Sequence, residues 1–474
     1  MRRSEHIAQL QQTARWDMVI IGGGATGLGA ALDAAARGYK TLLVERFDFA
    51  QGTSSRSTKL IHGGVRYLEQ GNINLVKGAL RERFFFLKNA PELTRTVPFI
   101  LPVYQVWKLI YFWIGLKLYD LLSGKLSVGS TRLLSARRVA ELMPSVETQG
   151  LRGGVMYYDG QFDDSGMCIA LAHTAATYGA TVLNYVEAQS FLYSSEGKIS
   201  GLRLLDRHTG QRYEVSAGAV INATGVFADV LMGADNPEHK PVVKPSRGTH
   251  LVVDTSFFEG NHALLIPRTT DGRVLFAVPW MGKVVIGTTD VPVEEATAEP
   301  LAGEEEVDFI LQNFNQYCRT QLRRSEVLSV FAGLRPLVRM QDLRSTAHLL
   351  RDHALIVSES SLITITGGKW TTYRKMAQDA VNKAAAIAAL PFKKCPTRRI
   401  AVSRPAKEPS PEYALRLHPA YPYTIADVRH AIRHEMALTV EDVLARRLRL
   451  QFLDRAAAQE VEERVREELR GVSV

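Results

Sequence analysis

The sequence predicts an α/β chain in which a parallel-sheet lobe is interleaved with an antiparallel-sheet lobe and followed by a helical C-terminal domain. Three observations predict it. Residues 16–21, Trp-Asp-Met-Val-Ile-Ile, form an apolar run that ends in Gly22-Gly23-Gly24-Ala25-Thr26-Gly27; an Ala-rich stretch to Gly38 then leads into a second run, Thr41 to Glu45. Strand, glycine turn, helix and strand in that order make one βαβ unit, the opening of a Rossmann-like sheet. Residues 248–290 hold several short β-forming runs in succession, which suits an antiparallel sheet in a separate lobe. Residues 423–473 are rich in helix formers and follow a Pro-bearing connector at 404–422.

The remaining elements follow in order. Residues 72–89 read as an amphipathic helix with Leu75, Val76, Ala79, Leu80, Phe84 and Leu87 on one stripe, ended before Pro91. Phe99–Leu122 is apolar and aromatic, but Pro102, Lys108, Lys117 and Asp120 make it a poor bilayer span. It reads either as a helix packed on the core or as an interfacial helix, since aromatics and lysines suit the headgroup boundary. Residues 167–190 read as helix then strand, and 198–206 with 211–215 as a hairpin. Ala219 to Gly225 reads as a buried strand returning to the nucleotide sheet, and a helix is expected at about 303–323. Leu362 to Thr366, Gly367-Gly368 and Lys369 to Ile387 read as strand, turn and helix. These elements divide the chain into a discontinuous nucleotide-binding domain (16–95, 150–240 and 330–400), a cap (96–149 and 241–329) and a C-terminal helical domain (404–474).

A chain of 474 residues is long enough for a large core in two or three lobes. The net charge of +9 suits anionic small molecules, anionic membrane or nucleic acid. No basic run with interleaved aromatics resembles a nucleic-acid module, so that partner is not expected. Cys168, Cys318 and Cys395 include no Cys-x-x-Cys, which argues against a disulfide framework, a redox dithiol or a structural metal site. The first ten residues lack the apolar run of a secretory signal. The expected location is the cytoplasm or the inner face of the cell membrane.

Gly22, Gly24 and Gly27 match G-x-G-x-x-G between strand and helix: the first permits the turn, the second admits a pyrophosphate, the third allows close packing. The helix start offers unpaired N–H groups and a positive dipole end to phosphates. Glu45 ends the second strand, where a carboxylate can accept from ribose hydroxyls. No second G-x-G-x-x-G follows, so a separate nicotinamide site is not expected. Ala223 and Gly225 on one strand, and Gly367 and Gly368 before the late helix, look like returns to one large cofactor. That favours FAD over NAD.

Residues 51–67 place Arg56, Lys59, His62 and Arg66 among hydroxyls and a Gly-Gly pair. Such a mixture holds an anion beside a proton acceptor better than it builds a core. Lys59-Leu-Ile-His-Gly-Gly-Val-Arg-Tyr67, Thr53-Ser-Ser, Ile286-Gly-Thr-Thr-Asp290, Ala332-Gly-Leu-Arg-Pro336 and Gly367-Gly-Lys-Trp-Thr-Thr-Tyr-Arg374 together resemble FAD-dependent glycerol-3-phosphate dehydrogenase, of the D-amino-acid-oxidase-like flavoproteins. The resemblance spans about residues 16–460. It implies FAD, oxidation of sn-glycerol 3-phosphate to dihydroxyacetone phosphate, electrons passed to a membrane quinone, and contact with an anionic membrane; a homodimer is left open. An oxygen-using oxidase, a non-catalytic flavin-binding protein and an amino-acid oxidase relative are the alternatives, the last disfavoured by dispersed cations that suit phosphate.

The resemblance places Arg66, Arg335 and Lys369 at the substrate, where charge-assisted hydrogen bonds contribute about 1.5–3 kcal/mol each. His62, with an ordinary pKa of about 6.5, is the candidate base for the C2 hydroxyl proton. A rival reading makes His62 a positioning donor and gives the proton to Arg335 or water, which requires an arginine of heavily depressed pKa. Thr371 is expected at the phosphate or flavin, and Thr53, Ser54, Ser55 and Ser57 at the cofactor. The connector after 391–410 is brief for the family. Arg446, Arg447 and Arg449 read as a solvated helix face or as lipid-headgroup contacts.

Overall fold

A parallel strand order sets up the first lobe. The computed structural model describes residues 1–64, 72–338 and 353–471. Strand Arg15–Ile21 pairs in parallel with Thr41–Val44 on one side and Arg212–Asn222 on the other. Thr181–Leu183 and Ile363–Gly367 extend the parallel set at its two ends, and His353–Val357 closes one edge antiparallel. Val186–Tyr193 and Ile199–Asp206 form an antiparallel extension from Arg212–Asn222. The inner strands are apolar on both faces, as a parallel sheet covered on both sides requires. Helices Ala25–Ala36, Asp164–Thr177 and Tyr373–Ile387 share one core over this sheet. Their contacts are made by small residues: a Cβ on Gly29 would lie 2.8 Å from the Tyr373 ring.

Among the described residues the second sheet has ten strands, antiparallel except where Ala263–Ile266 runs parallel to Thr94–Val103. Its longest pair, Val243–Asp254 with Val327–Val338, sets Arg335 opposite Ser246. Leu60–Ile61 joins its far edge by pairing with Gly153–Phe162. The loop between Gly52 and Gly64 therefore bridges the two sheets. Strand Gly153–Phe162 pairs with Thr94–Val103, and Val327–Val338 with Val243–Asp254, both in this second sheet, although the sequence reading put 150–240 and 330–400 with the nucleotide domain.

Four expectations need correction. The apolar stretch 99–122 divides into the end of strand Thr94–Val103 and helix Val106–Ser123, because Pro102 cannot lie inside a helix and the helix starts only after it. The helix expected to reach 323 ends at Asn315, whose side chain binds the returning backbone at Leu322 instead. In helix Ile73–Asn89 the buried aromatic is Phe86 rather than Phe84; Glu82 and Arg83 are buried with it, paired with Arg374 and Asp159. Arg446, Arg447 and Arg449 are neither solvated nor lipid-facing. All three are buried.

Those arginines belong to a C-terminal domain with its own core of Leu417, Val428, Ile432, Val443, Leu444, Val461 and Val465. Helix Ile425–His434 starts at a capping box of Thr424 and Asp427. Residues Asp442–Arg447 form a π-helical turn from which Arg446 and Arg447 reach Asp48 in the nucleotide lobe.

Candidate functional site

The glycine turn is fixed by backbone contacts. Gly22 has φ +115°, and a Cβ there would fall 2.6 Å from the Ala223 carbonyl oxygen; a Cβ on Gly27 would fall 1.9 Å from the Gly22 carbonyl oxygen. Helix Ala25–Ala36 begins with its first N–H bound to the Ser54 hydroxyl at 2.9 Å. A cleft runs past this turn. Gly22, Gly24, Glu45, Thr53, Ser54, Ala223, Gly225, Gly367 and Gly368 all line it, together with Lys369 and Trp370.

Three of the residues expected at the cofactor are absent from that lining. Gly27 packs behind the turn. Ser55 is buried, and its carbonyl accepts from Lys59 Nζ at 2.8 Å and Arg449 Nη2 at 2.7 Å. Ser57 gives its N–H and hydroxyl to Asp164 Oδ2, at 3.1 and 2.7 Å.

The lining suits a dinucleotide. With Ala25 N–H taken by Ser54, the start of helix Ala25–Ala36 still turns its positive dipole end towards the cleft, where a phosphate is favoured. Glu45 accepts from Gly23 N at 2.7 Å through one oxygen and from Phe47 N at 2.8 Å through the other, which leaves each oxygen a lone pair for a ribose hydroxyl. Burial pushes this carboxyl above its usual range. Gly367 and Gly368 have φ +78° and +67°, and a Cβ on Gly368 would strike the Met376 sulfur at 2.5 Å. Trp370 closes the turn onto the first one, its indole N–H donating to the Ser54 carbonyl at 2.7 Å.

His62 lies beside this second turn. Its carbonyl accepts from the Thr371 hydroxyl at 3.2 Å, and Lys369 and Arg83 are its charged neighbours. Desolvation, then those two cations, lower the His62 pKa to about 4. Arg335 is held by the Thr288 hydroxyl at 2.9 Å, the Thr289 carbonyl at 3.1 Å and Asp290 at 3.2 Å. Gly248 gives the guanidinium its space, since a Cβ there would sit 2.5 Å from Nη2. Pro336, next along the strand, lines the cleft. Burial lowers the Arg335 pKa, yet an arginine remains charged at neutral pH. His62, Lys369 and Thr371 thus share one neighbourhood, and Arg335 stands on the second sheet, one residue before Pro336 of the cleft lining. Arg66 lies outside the described residues.

Sequence reasoning missed the supports of this loop. Asp164 accepts from Lys59 Nζ at 2.7 Å, Arg449 Nη2 at 3.0 Å and Ser57. Lys59 is fully buried near the Trp280 and Phe331 rings, and desolvation lowers its pKa to about 7 although Asp164 opposes the shift. His250 Nε2 meets the Thr58 hydroxyl at 2.9 Å while its ring stacks on Phe331. Tyr119, fully buried, receives the Gly63 N–H at 2.8 Å. These partners are far apart in sequence and carry no local signal. Among the described residues, no group of three His, Cys, Asp or Glu side chains is placed to hold a metal ion.

Comparison with known proteins agrees with this geometry. Residues 17–374 match the family described as FAD dependent oxidoreductase, and residues 360–472 the C-terminal domain of alpha-glycerophosphate oxidase. The mitochondrial glycerol-3-phosphate dehydrogenase of Macaca fascicularis is 41% identical over 98% of this chain and 71% of its own length. That of Arabidopsis thaliana is 39% identical over 95% of this chain and 81% of its own. The crystal structure of glycerol-3-phosphate dehydrogenase from Bacillus halodurans complexed with FAD superposes with a TM-score of 0.78 at 28% identity, covering 99% of this chain and 94% of that one. An L-alpha-glycerophosphate oxidase from Mycoplasma pneumoniae, 17% identical with a TM-score of 0.62 over 81% of this chain and 97% of that one, shares the fold. With a dinucleotide cleft between two glycine turns and identity near 40% along nearly its whole length, the chain belongs to the FAD-dependent glycerol-3-phosphate dehydrogenase family.

Proposed function

We propose that this chain oxidises the C2 hydroxyl of sn-glycerol 3-phosphate, giving dihydroxyacetone phosphate, at the end of the cleft where His62, Lys369 and Thr371 converge. That convergence is the observation that carries the reading. FAD, when bound, supplies the hydride acceptor, its N5. Gly22, Gly24, Glu45, Thr53, Ser54, Ala223, Gly225, Gly367 and Gly368 hold it; Gly27 shapes the turn, and Ser55 and Ser57 fix the loop beside it.

His62 accepts the C2 hydroxyl proton. Its lowered pKa keeps the imidazole neutral, and so able to accept, throughout the physiological range. A phosphate ester nearby adds negative charge that opposes the effect of Lys369 and Arg83 and strengthens the base as substrate binds. Lys369 and Arg335 supply cationic charge for the phosphate, with Arg66 the third cation. The ties from Arg335 to Thr288, Thr289 and Asp290 pre-set its fork, so less freedom is lost on binding. Thr371 lines up the His62 backbone through its hydroxyl.

Electrons leave to a membrane quinone, and the chain sits on the cytoplasmic face of the cell membrane. Support comes from helix Val106–Ser123, which exposes Trp107, Ile110, Tyr111, Ile114, Leu118 and Leu121. No described helix is long and apolar enough to cross a bilayer. A surface of this kind, with Lys108 and Lys117 beside it, suits an anionic interface.

Anaerobic titration with glycerol 3-phosphate is expected to bleach the flavin absorbance. In stopped flow, His62→Asn should slow flavin reduction by roughly 10²-fold or more, the usual worth of a general base. Near-normal reduction by that variant would overturn the assignment of the base. Quinone reduction measured against peroxide yield in air tests the acceptor.

A further inference from the structure

The peptide unit between His62 and Gly63 is held at both of its polar atoms. Its carbonyl oxygen accepts from Thr371 Oγ1 at 3.2 Å, and its N–H donates to Tyr119 Oη at 2.8 Å. Tyr119 comes from helix Val106–Ser123, an element of the other lobe that makes no part of the cleft lining. Its hydroxyl is itself fixed, donating to Asp159 at 3.0 Å, while Arg83 ties Asp159 at 2.6 Å and donates to the same hydroxyl at 3.4 Å. Glycine is needed at 63 for this approach, because a Cβ there would lie 2.5 Å from the Tyr119 oxygen and 2.6 Å from Leu80.

A peptide plane pinned on both sides cannot rotate about its flanking bonds without breaking one pin. The two pins fix ψ at His62 and φ at Gly63, and so hold in place the His62 Cα from which the imidazole extends. We propose that Tyr119 is a positioning residue for the reaction: its hydroxyl, held by Asp159 and Arg83, fixes the His62–Gly63 peptide and thereby aims the His62 ring at the substrate hydroxyl. This rests on the reading of His62 as the base. Tyr119 touches neither substrate nor cofactor; it acts through His62.

The test compares Tyr119→Phe, His62→Asn and Ser123→Ala holoenzymes by anaerobic stopped flow with glycerol 3-phosphate. Tyr119→Phe keeps the packed ring and removes the pin. It is expected to retain FAD and to slow the limiting rate of flavin reduction roughly tenfold, as small misplacements of a reacting group do, with KM changed less than about twofold. Ser123 lies on the same helix and receives Arg83 at 3.4 Å without touching the His62–Gly63 peptide, so Ser123→Ala should reduce at the wild-type rate. A wild-type rate for Tyr119→Phe beside a slow His62→Asn overturns the positioning role alone. A rate loss in Ser123→Ala as large as in Tyr119→Phe overturns it too, by assigning the effect to helix packing. Normal reduction by His62→Asn overturns the base reading and the positioning role with it. Should Tyr119→Phe fail to fold, amide exchange in the wild-type protein decides: protection of the Gly63 N–H is expected, and exchange at the rate of an open-loop amide overturns the proposal.

Discussion

At the scale of single residues the site depends on charges placed where water is scarce. His62 has its pKa lowered to about 4 by desolvation and by Lys369 and Arg83. The acid limb of kcat/KM, which reports the free enzyme, should therefore fall near pH 4 and not near 6.5. A kcat/KM limb near 6.5 over and above the one that the substrate phosphate itself contributes at about pH 6 would show that His62 is not desolvated in this way. Stability follows the same sign. The folded-state pKa lies below the unfolded one, so the unfolded chain takes the proton first. The contribution of neutral His62 to stability is complete above about pH 6.5 and is lost as pH falls towards 4. The candidate base was legible in the sequence because His62 sits in a local motif with Gly63, Gly64 and Arg66. Tyr119 and Asp164 were not, since each acts through a loop 56 or about 105 positions away in the chain.

Among the elements, helix Val106–Ser123 divides its duties. Leu116, Tyr119 and Ser123 face inward, while Trp107 is 64% and Leu121 75% exposed. The outer apolar residues recur at three and four positions, which makes one continuous face. Exposed apolar surface of this extent points to a docking role. The double variant Trp107→Glu with Leu121→Glu should lose most of its co-sedimentation with vesicles containing anionic lipid, yet reduce its flavin at the normal rate. Unchanged sedimentation would remove this helix from the proposed membrane contact. Composition alone left two fates open for 99–122, because an apolar helix reads alike whether it is covered by protein or by lipid. The glycine turn at 22–27 was more legible, as its demands are local: a positive φ and contacts too close for a side chain.

The molecule as a whole is tied together by buried ion pairs across lobes. Asp48, beside cleft residues Phe47 and Ala50, accepts from Arg446 Nε at 2.7 Å, from Arg447 at 2.6 and 2.9 Å, and from Asn184 at 3.0 Å. Arg449 reaches the Ser55 carbonyl and Asp164 beneath the reaction loop. The C-terminal domain is thus a clamp on the loops that line the cleft. Asp48→Asn leaves two buried guanidinium groups short of charge, and it should cost about 3–5 kcal/mol by chemical denaturation, with FAD lost more readily on gel filtration. A variant as stable as wild type would mean that the arginines find other partners. The sequence by itself determined the α/β class, the nucleotide turn, the family and the motifs at 53–66, 332–336 and 367–374, because backbone restriction and local periodicity are written in adjacent residues. Tertiary structure alone decided which of those residues meet. It turned Ser55 and Ser57 away from the cleft, buried three arginines that read as surface, and brought Tyr119 onto the His62–Gly63 peptide. Burial and long-range pairing are properties of the folded surroundings, and a charged side chain carries no mark of the partner that will neutralise it.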